Sequence, residues 1–368
     1  MLTQKKTKIV VFRKHKRLLL NENWKFCGRN IEVVDQFCYL GLVFNYNGRF
    51  TIAHNTLASQ GRKAYYRLKK RMKNYMLNTE TKISLFDTYV TCILNYGCEV
   101  WGHHPAPKIE AVHLLFLKEV LNVKKTVNSS MVYFETGRNT LHIQRKISIM
   151  KYWLKLIKTN NCVLKSCYDA LFDLNIRKPS CKLNWIYEVK SDLCRSGFSN
   201  IWIAQSVNNE KQFLDLYSQR LRDIFIQELS SAFDKSSKCS IYKYLVDHFQ
   251  IQFYLTKPLS YSIKQILSKY RMQAHSLNIE SGRYHATPRG QRICTVCNSN
   301  DVEDEMHFIL LCPAYADLRT VFLKQYYYRH PSVYKLVELF SCKNVKTLRK
   351  LGKYLLQATA KRKALIEH

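Results

Sequence analysis

Three cysteines and one histidine in the last quarter of the sequence have the residue types and the spacing of a metal site. These residues are Cys294, Cys297, His307 and Cys312. The first two cysteines are separated by two residues, so both sulfur atoms can face one ion, and the other two follow within the next fifteen residues. Structural zinc sites hold Zn²⁺ in a tetrahedron of four such ligands, which leaves no position for a reactive water. The spacing predicts a structural zinc site, with chance occurrence in a chain of 13 cysteines as the alternative.

Three acidic residues, Glu303, Asp304 and Glu305, lie just before the histidine. Carboxylates beside a metal can take part in catalysis, but acidic side chains are also favourable at the start of a helix, which the following apolar residues predict. We interpret the three as helix-start charges. No paired carboxylates elsewhere indicate another phosphodiester chemistry, so the sequence predicts no catalytic residue.

The formal charge of the chain is +32, since 59 Lys and Arg residues stand against only 27 Asp and Glu residues. A positive field of this size attracts polyanions, and nucleic acid is the expected partner. Binding to an anionic membrane surface is the alternative. The charge therefore favours RNA or DNA as the ligand without distinguishing between them.

A dense group of positive charges lies in a segment of helical periodicity, interleaved with Tyr65, Tyr66 and Tyr75. The basic residues are Arg62, Lys63, Arg67, Lys69, Lys70, Arg71 and Lys73. No acidic residue lies between Thr51 and Thr79 to pair with them. Cationic side chains among aromatic rings suit a phosphate backbone next to bases that can stack. We predict a nucleic-acid-binding helix, with a solvated helix face and inward-packed tyrosines as the alternative.

A second basic group directly precedes the predicted metal site. Arg283, Arg289 and Arg292 lie beside Tyr284 and His285. A metal-stabilised loop would hold guanidinium groups in place for an anion, which they can bind through two parallel hydrogen bonds. We predict these three arginines as further nucleic-acid contacts.

The cysteines and the hydropathy bear on the compartment. An odd number of cysteines, the lack of a secretory signal and the lack of a run of about 20 apolar residues predict a reducing nuclear or cytoplasmic environment and no membrane span. Four cysteines in the middle of the chain have gaps that fit no standard zinc knuckle. We expect them to be buried free thiols, with a second zinc site as the alternative. They are Cys162, Cys167, Cys181 and Cys194.

The periodicity of apolar residues predicts a mainly α-helical protein with a small N-terminal antiparallel β element. Strands are predicted over 8–13, 31–35 and 37–44. Four regions follow from the pattern: the β element, a first helical region, a helical connector of unknown role, and a zinc-knuckle region with basic C-terminal helices. Their bounds are 1–50, 51–160, 161–275 and 276–368.

Four short motifs follow one another along the chain. They are Lys6-Thr7-Lys8-Ile9-Val10-Val11-Phe12, Phe37-Cys38-Tyr39-Leu40-Gly41, Tyr96-Gly97-Cys98-Glu99-Val100-Trp101, and the four metal ligands with Pro313-Ala314-Tyr315 and Leu318-Arg319. In this order they resemble the motif after the active site, the primer grip, the thumb pattern YGxExW and the cysteine-rich knuckle of reverse transcriptases from non-LTR (LINE-type) retrotransposons. The ordered set is more specific than any one motif.

The resemblance implies RNA-dependent DNA synthesis primed on cut target DNA, by a palm whose aspartates hold two Mg²⁺ ions. Those aspartates belong to a Tyr-x-Asp-Asp turn that is expected upstream of this chain, as is an endonuclease domain. The similar run Tyr315-Ala316-Asp317-Leu318 has a single aspartate and follows the zinc ligands. By resemblance, 1–50 is the edge of the palm, 51–160 is thumb-like, and Lys6 or Lys8 is the motif lysine near the incoming triphosphate.

The resulting expectation is a C-terminal portion of such a reverse transcriptase, with a palm edge, a helical thumb and a zinc knuckle. By itself it is expected to bind RNA or DNA and to catalyse nothing, and Mg²⁺ is expected only in an intact parent polymerase. Two alternatives stay open. One is a truncated record of a full RNA-directed DNA polymerase, and the other is a zinc-dependent protein-interaction adaptor.

Overall fold

The computed structural model describes residues 7–13, 23–73, 75, 77–178 and 184–367. Within these ranges most residues are helical, and strands are confined to residues 25–45. The prediction of a mainly helical protein with a small antiparallel β element is therefore confirmed. No helix of the described chain combines the length and the apolarity needed to cross a bilayer.

The β element consists of two antiparallel pairs of short strands. Strand β1 (Lys25–Phe26) pairs with β2 (Arg29–Asn30), and β3 (Gln36–Tyr39) pairs with β4 (Leu42–Asn45), in the register Phe37 to Phe44. Residues 8–13 form no strand, although Ile9 makes one isolated parallel bridge to Val33.

The predicted single strand over 37–44 is wrong, because it turns back on itself. Leu40 and Gly41 have φ angles of 46° and 85°, and two consecutive residues with positive φ make the tight turn that suits a two-residue hairpin. The hydroxyl of Tyr96 donates a hydrogen bond of 2.6 Å to the Leu40 carbonyl and so holds this unusual conformation. A Cβ added to Gly41 would only touch the Tyr96 ring, at 3.4 Å, so the positive φ angle and not a lack of space is what favours glycine here.

The helices in the first half of the chain are joined by short loops, and a π-helical turn over Asp87–Thr91 connects the second to the third. They are α1 (Thr51–Met72), α2 (Thr79–Phe86), α3 (Cys92–Leu94), α4 (Cys98–Trp101), α5 (Pro107–Leu121), α6 (Ser129–Thr136), α7 (Leu141–Ile157), α8 (Cys162–Arg177), α9 (Trp185–Arg195) and α10 (Ser199–Ala204).

The helices of the second half begin with the long α11 and end with the long α19. They are α11 (Glu210–Lys235), α12 (Tyr242–Leu245), α13 (Phe253–Thr256), α14 (Tyr261–Arg271), α15 (Asn278–Tyr284), α16 (Ala316–Phe322), α17 (Gln325–Arg329), α18 (Val333–Ser341) and α19 (Val345–Glu367).

The chain divides into two compact units. The first comprises Met1–Tyr75, Ser84–His113 and Thr140–Asp223, and the second comprises Met76–Ile83, Leu114–Asn139 and Ile224–His368. The predicted region 51–160 contributes to both units.

The first unit is built on α1, which packs against the π-helical turn and α3, while α4 packs against α7. Gly61 allows the close approach of α1, because a Cβ there would lie only 2.3 Å from Leu94 Cδ2. Trp101 and Trp153 are fully buried.

The second unit is built on α19, against which α14 and α16 pack. Phe308, Tyr315 and Tyr354 lie fully buried in its core. The guanidinium of Arg271 bonds the carboxylate of Glu135 at 2.7 Å, and their side chains are 3% and 0% exposed. A buried charge is tolerated when it is paired and hydrogen-bonded in this way.

Candidate metal centre and basic surfaces

The four predicted metal ligands meet in the second unit. One donor atom from each of Cys294, Cys297, His307 and Cys312 lies within 4.8 Å of all the others. The Cys297 Sγ and His307 Nε2 atoms are 3.4 Å apart. A tetrahedral zinc ion with ordinary bond lengths places a sulfur and a nitrogen ligand about 3.5 Å apart. The donor set and its geometry therefore fit a four-coordinate ion.

A short hairpin and a π-helical turn position these ligands. An antiparallel bridge joins Ile293 to Val302, and the Cys294 amide donates to the Asp301 carbonyl at 2.9 Å. The turn over His307–Leu311 presents the histidine, and the Cys312 amide closes it by donating to the His307 carbonyl at 2.7 Å. Single π-helical turns are rare and recur at functional sites.

The imidazole of His307 is oriented from its far side. Its Nε2 faces the cysteine cluster, whereas its Nδ1 lies 3.7 Å from a carboxylate oxygen of Asp301. Histidine ligands of metals commonly place their second nitrogen toward a carboxylate, which selects the tautomer and the ring orientation.

The protonation of the ligands depends on their burial. Burial raises the pKa of the Cys294 thiol and raises that of Cys312 to about 12. Burial also raises the pKa of Cys297, but hydrogen bonds with Ser299 outweigh it and hold that pKa below its ordinary value. Burial lowers the pKa of His307, so the imidazole is neutral at neutral pH. Metal binding must therefore displace protons from the buried thiols, because thiolates are the ligands.

The metal loop is fixed to the core by an ion pair with α19. Two nitrogens of Arg362 donate to the two carboxylate oxygens of Glu303 at 2.5 and 2.6 Å, and the side chain of Glu303 is fully buried. The same carboxylate accepts a hydrogen bond of 2.7 Å from the Asn278 amide. A bidentate arginine–carboxylate pair is among the strongest of protein hydrogen-bonded contacts.

Two further side chains bond the backbone around the last ligand. Arg319 of α16 donates to the Ile309 carbonyl at 2.9 Å and to the Cys312 carbonyl at 2.7 Å. The hydroxyl of Tyr354 donates to the Phe308 carbonyl at 2.8 Å. These bonds satisfy carbonyl groups that the irregular turn leaves without helical partners.

The interpretation of the three acidic residues as helix-start charges holds only for Asp304, whose carboxylate accepts a bond of 2.9 Å from the His307 amide. Glu303 and Glu305 are buried, and Glu305 pairs with the His275 ring at 2.9 Å. These two carboxylates can be buried because each has a nitrogen partner from a distant segment, Arg362 for Glu303 and His275 for Glu305.

The three arginines before the metal site differ in their contacts. Arg283 bonds Glu280 at 2.9 Å and the Ser237 hydroxyl at 2.8 Å. Arg292 donates to the Thr287 and Ile279 carbonyls at 2.9 and 2.8 Å, so its guanidinium holds the loop together. The Arg289 side chain is 72% exposed, at 4.0 Å from an Asp304 oxygen.

The basic residues of α1 lie in the first unit, mostly on its exposed side. Exposed are Arg62, Lys63, Arg67, Lys70, Arg71 and Lys73, whereas Lys69 is half-buried. Tyr66 and Tyr75 are exposed, but Tyr65 is buried against Phe86, with ring centroids 5.8 Å apart. Cations and two rings are thus accessible together on this side of the helix, while the third tyrosine packs inward.

Other predicted positions do not join the metal centre. Cys162, Cys167 and Cys194 are exposed, so the expectation that they are buried is wrong. The described residues contain no second group of three or more metal-type ligands. Lys6 and Cys181 lie outside the described residues, and Lys8 pairs with Glu32.

Sequence reasoning missed Tyr354 and Arg362, which support the metal loop, and gave no such role to Arg319, although this residue belongs to the motif that resembles the knuckle. One signal in the sequence is Glu303, which lies between the ligands Cys297 and His307, where burial is expected. A buried carboxylate requires a cationic partner, so a distant Arg or Lys could have been expected there. No protein-family model, curated protein or solved structure matches this chain.

Proposed function

We propose that this chain is a nucleic-acid-binding, C-terminal portion of a LINE-type reverse transcriptase, with a structural zinc ion at its metal centre. The exposed cationic side of α1 carries the proposal. Five basic side chains are exposed along this helix and a sixth, Lys73, directly after it, in a segment of 29 residues, 51–79, that contains no acidic residue. Such a face neutralises phosphates and releases their counterions, which is the main source of nucleic-acid affinity.

A contact between two of the motifs supports the family. Tyr96 opens the motif that resembles the thumb pattern, and its hydroxyl bonds Leu40 in the motif that resembles the primer grip. The two bonded residues are 56 positions apart in the chain. Their contact suits two segments that serve one nucleic-acid channel.

Zinc is proposed from the chemistry of the donors. Three thiols and one imidazole within 4.8 Å of one another match a closed tetrahedral site. Copper electron-transfer sites use two histidines and one cysteine with a weak axial ligand, which is a different donor set. The ion would hold the 292–312 loop in place and take no part in a reaction.

The chain carries no Tyr-x-Asp-Asp run, and Asp317 of the similar run bonds Lys361 at 2.9 Å. We therefore propose no polymerase activity for the chain alone. Primer extension with Mg²⁺ and deoxynucleotides should give no product above a protein-free reaction. Extension by the purified chain would contradict this part of the proposal.

The main test compares two quadruple variants that remove the same charge. One replaces Arg62, Lys63, Arg67 and Lys70 by Ala. The control replaces four lysines that are already paired with carboxylates, namely Lys158, Lys165, Lys243 and Lys361. Affinity for a nicked duplex and for a structured RNA is measured against salt concentration.

We expect the α1 variant to bind more weakly and to lose about 0.9 from the salt slope for each duplex phosphate contact removed. The control should change little, because its lysines are compensated in place. Equal losses in both variants would mean that only net charge matters. No binding by the unmodified chain at low salt would favour the adaptor alternative and end the proposal.

A further inference from the structure

The ring of Tyr284, at the end of α15, has two ammonium groups from distant segments over it. Lys124 Nζ is 6.0 Å and Lys238 Nζ is 5.9 Å from the ring centroid. The tyrosine is 59% exposed. Three parts of the second unit that are far apart in sequence thus converge on one accessible aromatic surface.

The loop that presents Lys124 is organised by a buried cation. Lys118, only 7% exposed, donates to the Lys125 carbonyl at 2.6 Å and to the Val127 carbonyl at 2.8 Å. The Thr126 hydroxyl lies 3.3 Å from the Tyr284 hydroxyl. The loop is therefore shaped by the Lys118 side chain and held against the ring by its own threonine.

The turn that presents Lys238 is tied to the same helix. Arg283 bonds the Ser237 hydroxyl and carbonyl at 2.8 and 3.3 Å, and its remaining nitrogen bonds Glu280. Glu280 is 3% exposed and is thereby compensated. Because the Glu280 carboxylate is paired with Arg283, α15 adds no unpaired negative charge beside Lys124 and Lys238. The field around the Tyr284 ring is therefore positive.

Two cations, two hydroxyls and an exposed ring match a particular ligand. An unpaired base can stack on a tyrosine, while the phosphates beside it accept from ammonium and hydroxyl groups. A duplex cannot offer its base faces to the ring. A free phosphate would use the cations but not the ring.

The geometry points to a nucleotide-binding subsite for single-stranded nucleic acid formed by Tyr284, Lys124 and Lys238, with Thr126 at its edge. This inference rests on the proposed function and extends it to a second surface, one that discriminates single strands from duplex. The Tyr284 ring takes the base once the two flexible lysine side chains over it turn outward to the flanking phosphate.

A second exposed tyrosine in the same unit provides a matched control. Tyr326 is 51% exposed, and Lys335 Nζ is 4.6 Å from its ring centroid. Its hydroxyl, however, bonds the carboxylate of Glu338 at 3.0 Å. A carboxylate at the ring edge repels phosphate, so this site should not bind a nucleotide.

The experiment uses the full chain and an oligothymidylate that carries one 5-iodouracil. Irradiation at long wavelength cross-links this base to an aromatic ring on which it stacks, and mass spectrometry locates the link. We expect the cross-link at Tyr284 and none at Tyr326. Affinity is measured in parallel for Tyr284→Ala, Tyr284→Phe, the double variant Lys124→Ala/Lys238→Ala, and Tyr326→Ala.

Loss of one stacking contact weakens binding by about tenfold, which is expected for Tyr284→Ala but not for Tyr284→Phe, which keeps the ring. The double lysine variant should lose about 0.7 from the salt slope for one single-strand phosphate. Tyr326→Ala should bind normally, and duplex affinity should stay unchanged in every variant.

The two proposals fail differently. If the unmodified chain binds no oligonucleotide at low salt, the proposed function itself fails. If it binds, but the cross-link lies elsewhere and Tyr284→Ala binds normally, the subsite alone is refuted. If inorganic phosphate weakens oligonucleotide binding equally in wild type and in Tyr284→Ala, the cluster binds only the anion and the stacking inference is also refuted.

Discussion

Two regions of this protein use arginine and lysine in opposite ways. Around the metal centre, Arg319 and Arg362 are buried and bonded to carbonyl groups or carboxylates. Along α1, cations such as Arg62 and Lys70 are exposed in a segment without acidic residues. Burial decides which role a cation has, because a desolvated charge requires a partner whereas an exposed one stays available to a ligand. Net charge alone therefore overstates the surface that can bind a polyanion.

The largest effect expected at the metal centre is loss of the ion. Cys294→Ser removes one of four ligands, and structural zinc in small domains contributes an apparent 10–16 kcal/mol. Zinc content by mass spectrometry should fall well below one per chain, and proteolysis should begin within 292–312. Cys342→Ser is the control, because this half-buried cysteine is outside the cluster. Full zinc retention by Cys294→Ser would refute the site.

Removal of the ion-pair partner should be the next largest effect. Arg362→Ala leaves the fully buried Glu303 carboxylate without its cation, which is expected to lower the free energy of unfolding by about 3–5 kcal/mol. The neighbouring Lys361→Ala breaks an exposed pair with Asp317, which solvent screens, and should leave the free energy of unfolding nearly unchanged. Urea unfolding of both variants measures the difference, and similar values would remove the contrast between buried and exposed cations.

Metal affinity should increase with pH. Burial raises the pKa of Cys294 and that of Cys312 to about 12, so both thiols are protonated in the metal-free protein at neutral pH and must lose protons on binding. His307, whose pKa burial lowers, has no proton to lose there. Release of at least these two protons raises affinity by about a hundredfold or more per pH unit, measured by chelator competition between pH 6 and 8. A flat profile would contradict the thiol ligands.

The stability of α1 is expected to depend on its close packing against α3. Gly61→Ala places a Cβ 2.3 Å from Leu94, which is fully buried and cannot move aside. We expect overpacking to lower the free energy of unfolding by about 1–3 kcal/mol. The higher helix propensity of alanine should offset up to about 1 kcal/mol of this loss. Gly290→Ala, with nothing within 4 Å of the added Cβ, should lie within about 0.5 kcal/mol of wild type. Because this effect is steric and not electrostatic, the difference in stability between Gly61→Ala and wild type should be the same in thermal unfolding at low and at high salt. A difference that depends on salt would contradict the packing explanation.

The sequence allowed the ligands and α1 to be predicted because their information is local. The metal ligands span nineteen residues, and the buried side of α1 recurs at helical spacing through Leu57, Gly61 and Tyr65. The Leu40–Gly41 turn was missed, although a glycine inside a β-branched and aromatic run is a known sign of a bend.

The supporting ion pairs could not be predicted, because their members are far apart in the chain. Glu303 and Arg362 are 59 residues apart, and Glu135 and Arg271 are 136 apart. Neither periodicity nor spacing specifies which of many basic residues will meet a buried carboxylate. The same long-range choice decides that Arg292 binds carbonyl groups while Arg289 stays exposed.

The pairing of Glu303 with Arg362 has a consequence for the order in which the protein matures. Because synthesis proceeds from the N-terminus, all four metal ligands leave the ribosome before the 59th residue after Glu303 has been added. Until α19 arrives, the Glu303 carboxylate has no cationic partner, and only the Asn278 amide and water can stabilise it, so the ligand loop has to remain near the surface. The ion can enter this open form, and docking of the last helix then fixes the ligand loop around it.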